Sequence, residues 1–257
     1  MSDASPTHLV LIPSYNSGRL LETTVDDARK AWSPVWVVID GSTDGSDEAI
    51  VERAKTDPHL RVIRLAQNRG KGGAVLHGLT LALELGYTHV LTMDADGQHP
   101  ADHIAPFMQA SQAHPTSLIF GQPIFAADAP KLRVYWRRLS NGLAQLETMG
   151  ATNADSLFGF RLYPARDLYA VMCQGRFMRR FDFDPEVAVR LLWRGLPCRT
   201  IPTPVRYLTR REGGISHFNY LRDNLLLGFM HLRLLAGFVV RLPSMLARRR
   251  VMAAGAD

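Results

Sequence analysis

Four short apolar runs, each closing on a polar or glycine-rich turn and leading into a stretch of helical character, dominate the first part of the chain. HLVLIPSYN precedes a helical stretch over residues 18–30, PVWVVIDGSTDGS precedes EAIVERAKT, LRVIRLAQN precedes GGAVLHGLTLALELG, and THVLTMDAD closes the series. Runs of this length fit buried strands, and strands alternating with helices build a largely parallel sheet covered by helices. Such sheets bind ligands beyond the C-terminal ends of their strands. Residues 13–15, 40–44, 68–73 and 94–98 all fall there, so four polar loops share one rim.

One of these loops carries chemistry. MDADGQHP follows the apolar HVLT and delivers Asp94 and Asp96 to a strand's edge. Two carboxylates one residue apart can hold one hard divalent cation, and that cation can hold a diphosphate. A lone Asp-x-Asp is common, and a solvated strand end is the plainer account of the octapeptide by itself.

At 257 residues, 46% hydrophobic and 21% charged, the chain fits one globular domain with an appendage. The polar start MSDASPTH lacks a basic-then-apolar design, which points to the cytoplasm. Cys173 and Cys198 are too few and too far apart for a staple framework or metal knuckle and read as reduced packing residues. A net charge of +6 favours an anionic partner: nucleotide phosphates, nucleic acid or an acidic lipid surface. The excess lies in WRRLSN, GRFMRR, TRRE and ARRR, without the aromatic interleaving of a single-strand groove, and nucleic acid ranks last.

Further along, SLIFGQPIF and SLFGFRLYP read as strands, KLRVYWRRLSNGLAQLETM and FDPEVAVRLLWRG as helices, and the proline-punctuated CRTIPTPVRYL as a strand fit only for an edge. The segment NYLRDNLLLGFMHLRLLAGFVVRLPSML is apolar nearly all round but interrupted by Arg222, His231, Arg233 and Arg241. A span wants about 20 uninterrupted apolar residues, so this tail is expected to lie on a membrane or pack on protein rather than cross.

Other motifs fail. DGSTDG begins like a calcium loop, but the twelfth position is Val51 where a bidentate Glu is needed. NRGKGGA is neither a triphosphate loop nor a dinucleotide fingerprint, although its glycines would let backbone approach a phosphate. The nine histidines show no zinc spacing, and no G-x-S-x-G elbow is present.

In order, IPSYN, VVIDGSTDGS, NRGKGGA, MDADGQHP, DSLFGFR, EVAVRLLWRG and RREGGISHF resemble the family 2 glycosyltransferases of the GT-A fold, and within them the polyprenyl- or dolichyl-phosphate sugar synthases. The resemblance implies a catalytic domain over residues 1–218, an amphipathic helical appendage over 219–257, and inverting transfer of a sugar from a UDP- or GDP-linked donor to a lipid-linked acceptor. It implies Mg2+ or Mn2+ on Asp94, Asp96 and Gln98, and donor contacts from Pro13, Tyr15, Asp40, Lys71, Asp94, Arg210 and Arg211. Asp155, Arg161 and His217 fall on the acceptor side, and Asp184 or Glu186 where hydroxyl-glycosylating relatives carry a base. A pair of acids stabilised by a helix N-terminus accounts for the last two equally well.

The chain departs from the pattern at Ile39, which leaves Asp40 without a second acid, at Ser17, and at His217, where the branch usually has Lys. Phe158 replaces a small residue before GFR and is expected to narrow the acceptor pocket. The implied setting is the cytoplasmic face of the inner membrane, with an anionic lipid surface or a second copy of the chain as the tail's partner. A catalytically silent, membrane-associated sugar-nucleotide-binding protein is the alternative, and a nucleotidyltransferase a more distant one.

Overall fold

The structure, a computed structural model, describes residues 4–125, 131–205 and 219–254. Its strands are β1 (His8–Ser14), β2 (Val35–Asp40), β3 (Leu60–Leu65), β4 (His89–Thr92), β5 (Leu118–Phe125), β6 (Arg161–Pro164) and β7 (Cys198–Val205). The helices are α1 (Leu20–Ala31), α2 (Glu48–Ala54), α3 (Lys71–Glu84), α4 (Ile104–Ala113), α5 (Lys131–Glu147), α6 (Ala165–Met172), α7 (Phe183–Trp193) and α8 (Tyr220–Ala254).

The seven strands form one sheet in the order β3-β2-β1-β4-β6-β5-β7, with β6 antiparallel to both neighbours and the other pairs parallel. Every residue of β1 and β2 is buried, as expected of central strands covered on both faces. Alternation along β1 sends Leu9 and Leu11 into one core and Val10 and Ile12 into the other. The chain leaves β1 toward β2 and β3 and returns on its other side with β4, so a topological switch point falls between β1 and β4. That is where an open sheet leaves a crevice for a ligand.

β7 lies at the edge, where Pro202 and Pro204 remove no interior ladder bond. Two short helices, α4 and α6, escape the periodicity reading, and regular strand pairing in SLFGFRLYP begins only at Arg161. Cys173 is exposed beyond the end of α6 rather than packed, and both cysteines are free thiols.

The tail is one helix of 35 residues, about 52 Å long, that runs through Pro243. It starts on a capping arrangement: Asn219 Oδ1 accepts the Arg222 N–H at 3.0 Å, and Asp223 returns to the Asn219 N–H at 2.7 Å. Its inner face adds Leu227, Met230 and Leu234 to Val189 and Trp193 of α7. By length and composition alone, residues Leu221–Arg248 meet the requirements of a membrane-crossing helix. The interrupting charges are nevertheless engaged with the rest of the protein. His231 Nδ1 meets Glu147 Oε1 at 2.8 Å, and Arg233 donates to Glu186 at 2.7 Å. Arg241 lies 4.8 Å from the centre of the Trp193 ring, and Arg248 donates to the Trp193 carbonyl at 2.8 Å.

Candidate active site

A cleft of about 640 Å³ opens at the switch point, lined by the ends of β1, β2 and β4 and by the starts of α3, α5, α7 and α8. Pro13, Tyr15, Asp40, Lys71, Asp94, Asp96, Gln98 and Asp184 all line it. Eight positions read from the sequence are thus brought to one place. Arg210, Arg211 and His217 lie outside the described residues.

The donor side is built from interlocked turns. Ser42 Oγ accepts the Asn16 N–H at 3.0 Å, Asn16 Oδ1 accepts that of Thr43 at 2.8 Å, and Asp44 accepts that of Gly18 at 3.0 Å. The DGSTDG loop therefore fastens the first loop. Asp40 takes the Arg69 and Gly70 N–H groups, one on each oxygen, at 2.7 and 2.8 Å. Burial raises its pKa although these bonds act the other way. The glycines of NRGKGGA serve the protein's own chain: a Cβ on Gly72 would strike the Met178 carbonyl, and Gly73 donates to Arg179 O at 3.1 Å. Loop 177–182 is thereby seated on the start of α3.

Lys71 stands at the centre. Its Nζ lies 2.6 Å from Asp94 Oδ1 and 2.6 Å from Asp184 Oδ2. Burial alone would lower its pKa, but Asp184 and then Asp94 outweigh that and hold it above the usual lysine range. Burial likewise works to raise Asp94, and Lys71 and His99 reverse it, so its carboxyl sits below its ordinary value. Asp96 goes the other way, raised by burial and by Asp94. Gly159, in the DSLFGFR run, makes this possible: a Cβ there would collide with Lys71 Nζ and come within 3.0 Å of Asp94 Oδ2.

His99 is a site residue that the sequence reading missed. Its Nδ1 accepts the Asp94 N–H at 2.9 Å, which leaves the proton on Nε2, 3.6 Å from Asp94 Oδ2. Burial keeps it below its ordinary pKa. The Phe158 ring packs edge-on against it, centroids 4.9 Å apart, so Phe158 braces the aspartate turn as well as lining the cleft. The signal available was position alone, a histidine five residues after Asp94.

Three expectations are corrected. Glu186 is fully buried and absent from the cleft lining; Arg190 holds its Oε1 at 2.8 Å and Arg233 its Oε2 at 2.7 Å. Asp184, by contrast, faces the cleft and its buried Oδ1 has no hydrogen-bond partner. Arg161 is completely buried and donates to the carbonyls of Asp184, Asp155 and Ser156 at 2.5, 2.8 and 2.7 Å, so it shapes the floor and does not reach an acceptor. Asp155 is buried off the cleft, accepting from Asn141 at 3.0 Å and lying 3.1 Å from Arg137 Nη1. Arg137 itself, unremarked in the sequence, lines the cleft and stacks over Phe125 at 4.8 Å.

Hard oxygen donors suit Mg2+ or Mn2+, and a dication beside Asp94 and Asp96 would relieve the repulsion that lifts Asp96. Among the described residues no three His, Cys, Asp or Glu side chains form a complete ligand set. Two carboxylates with the remaining positions left to substrate oxygens and water is an arrangement that fits a cation carried with a diphosphate.

A mostly parallel sheet with a strand-end Asp-x-Asp at its switch point and a third carboxylate, Asp184, across the cleft is the architecture of the GT-A fold. Residues 9–184 match the family model of Glycosyl transferase family 2, and the chain belongs to that family. It is 27% identical over 213 residues to an undecaprenyl-phosphate mannosyltransferase of Micrococcus luteus, covering 80% of this chain and 85% of that one. It is 27% identical over 216 residues to a polyprenol monophosphomannose synthase of Mycolicibacterium smegmatis, covering 81% and 79%. Among solved structures, glucosyl-3-phosphoglycerate synthase from Mycobacterium tuberculosis, in complex with Mn2+, UDP and phosphoglyceric acid, superposes with a TM-score of 0.63 at 18% identity, covering 92% of this chain and 78% of that one. That likeness shows the fold. The chain is a family 2 glycosyltransferase of the GT-A fold.

Proposed function

We propose that this glycosyltransferase moves a sugar, with inversion, from a UDP- or GDP-linked donor to a phosphate carried on an apolar lipid. The observation that carries the reading is the division of the cleft. The lining divides by chemistry: Ser14, Ser17, Asn68 and the charged group around Lys71 are polar, whereas Phe125, Trp136, Leu157, Val205 and Leu227 are apolar, and the guanidinium of Arg137 lies over the Phe125 ring. A phosphate on an apolar chain meets both demands of the second set, and a guanidinium fork suits its oxygens. The two relatives' names, one a transferase for undecaprenyl phosphate and the other a synthase of polyprenol monophosphomannose, support this acceptor class.

In this reading Pro13, Tyr15 and Asp40 border the nucleoside, and Lys71, Arg210 and Arg211 face the diphosphate. Asp94 and Asp96, with Gln98, would hold Mg2+ or Mn2+. When bound, the cation offsets the charge that grows on the departing diphosphate. Arg137, oriented by Asp155, sets the acceptor phosphate in line with the sugar carbon. Residues 1–218 form the catalytic unit, and 219–257 the appendage that keeps it peripheral on a membrane. A hydroxyl acceptor is the second reading, favoured by the partnerless Oδ1 of Asp184, which could then serve as base.

The test is a panel of UDP- and GDP-sugars with Mg2+ or Mn2+ and a short polyprenyl phosphate, followed by nucleoside diphosphate release. Release that requires both cation and lipid phosphate is expected. Full release in chelator, or none with any lipid phosphate while a hydroxyl acceptor works, would overturn the reading.

A further inference from the structure

Among the contacts that helix α8 makes with the catalytic wall, one is a buried charge cluster centred on Arg233. The guanidinium of Arg233 lies 3.8 Å from the centre of the Phe177 ring and 4.9 Å from that of Phe229, with 15% of the side chain exposed. From that slot it donates to Glu186 Oε2 at 2.7 Å and stands 3.8 Å from Asp182 Oδ2. Neither acceptor belongs to the cleft, yet both control what does. Asp182 takes the N–H groups of Met178 and Arg180 at 2.9 and 3.0 Å, shaping the loop whose Arg180 and Phe181 line the cleft. Glu186 is one helical step beyond Asp184, in the first turn of α7. Arg161 grips the Asp184 carbonyl from the opposite side.

We propose that Arg233 is a positioning residue for the active site: by holding Glu186 and Asp182 it sets the first turn of α7 and loop 177–182, and so fixes Asp184 against Lys71. The tail helix is then a working part of the site. Removing the guanidinium leaves a buried carboxylate with Arg190 as its remaining partner, and small displacements of a reacting group are costly in rate. The donor is held mainly from the loops after β1, β2 and β4, so its binding is spared. The inference rests on the glycosyl-transfer reading in taking this cleft as the active site.

The test compares Arg233→Met, Arg233→Lys, Glu186→Gln and the Met/Gln double variant with the wild-type chain. Arg233→Met is expected to lower kcat about tenfold or more with donor KM within about threefold, and Arg233→Lys to recover most of the loss. The double variant should be no worse than the poorer single one, because the two residues act as one unit. Folded Arg233→Met with kcat within twofold of wild type, or losses that multiply in the double variant, would overturn the proposal. If Arg233→Met does not unfold cooperatively, Arg233→Lys and Glu186→Gln decide by the same kcat criterion. Amide exchange, which needs no substrate, separates this from the functional reading: faster exchange over residues 177–186 with α1 unchanged is expected, and uniform acceleration or no change would count against Arg233 even if wild type proved inactive on every donor.

Discussion

Asp184 holds one oxygen on Lys71 and leaves the other buried without a hydrogen-bond partner, and the acceptor decides whether that second oxygen takes a proton. A phosphate monoester, with a second pKa of about 6, is already ionised near neutral pH and needs no base. Asp184→Asn is therefore expected to cost about ten- to thirtyfold in kcat, through the weakened Lys71 contact, and to leave the rate level above pH 7. A loss of about a hundredfold or more would mark a hydroxyl acceptor instead. A second residue-scale prediction lies at the far end of the sheet, where His8 and His89 stack with centroids 4.4 Å apart. Burial, then His89, pushes His8 down from 6.5 to about 4, so the fold holds it neutral while the unfolded chain protonates it first. This contribution is complete above pH 6.5 and is lost as the pH falls toward 4, by up to about 3 kcal/mol. Urea unfolding at pH 7.5 and 4.5 should show a larger drop for the wild type than for His8→Gln; equal drops would contradict the assignment.

Helix α8 is two-faced. Leu221, Leu225, Phe229, Leu232, Val239 and Leu246 are exposed and recur every three or four residues or their sum, which puts them on one side, away from Leu227, Met230 and Leu234. Arg233 is held inward on Glu186 while the exposed Arg241 and Arg248 lean on Trp193, so apolar burial more than arginine–lipid attraction is what the outer face offers a bilayer. Sedimentation with liposomes should carry down the wild type with modest salt sensitivity, and Leu225→Asp with Leu232→Asp should leave the protein in the supernatant. Pelleting unaffected by that pair would contradict a membrane role for this face. The element also shows where sequence reasoning stops. Its helical character, like that of α3 and α7, is written in local periodicity, but which of its charges face the protein depends on Glu147 and Glu186, 84 and 47 residues away. Nothing local marks Arg233 as the partner of Glu186.

At the scale of the molecule, alternating strands and helices made the sheet and its C-terminal rim legible, because burial on both faces imposes continuous apolar runs and polar strand ends. Asp94 and Asp96 were legible for the same reason. The place of Lys71 on the cleft was legible, but its bond to Asp184 spans 113 residues and leaves no local trace. Gly72 and Gly159 illustrate the limit from the other side: distant backbone or side chains press on each of them. What these pieces build is a cleft lined both by a charged group around Lys71 and by apolar side chains beside Arg137, which we read as the places of a diphosphate and a lipid phosphate. The most direct test of that account is mass spectrometry of the lipid formed from a nucleotide sugar and polyprenyl phosphate. The account predicts a lipid carrying one phosphate and one sugar, formed in equal amount with nucleoside diphosphate. A lipid diphosphate with nucleoside monophosphate, or released pyrophosphate with no sugar on the lipid, would contradict it.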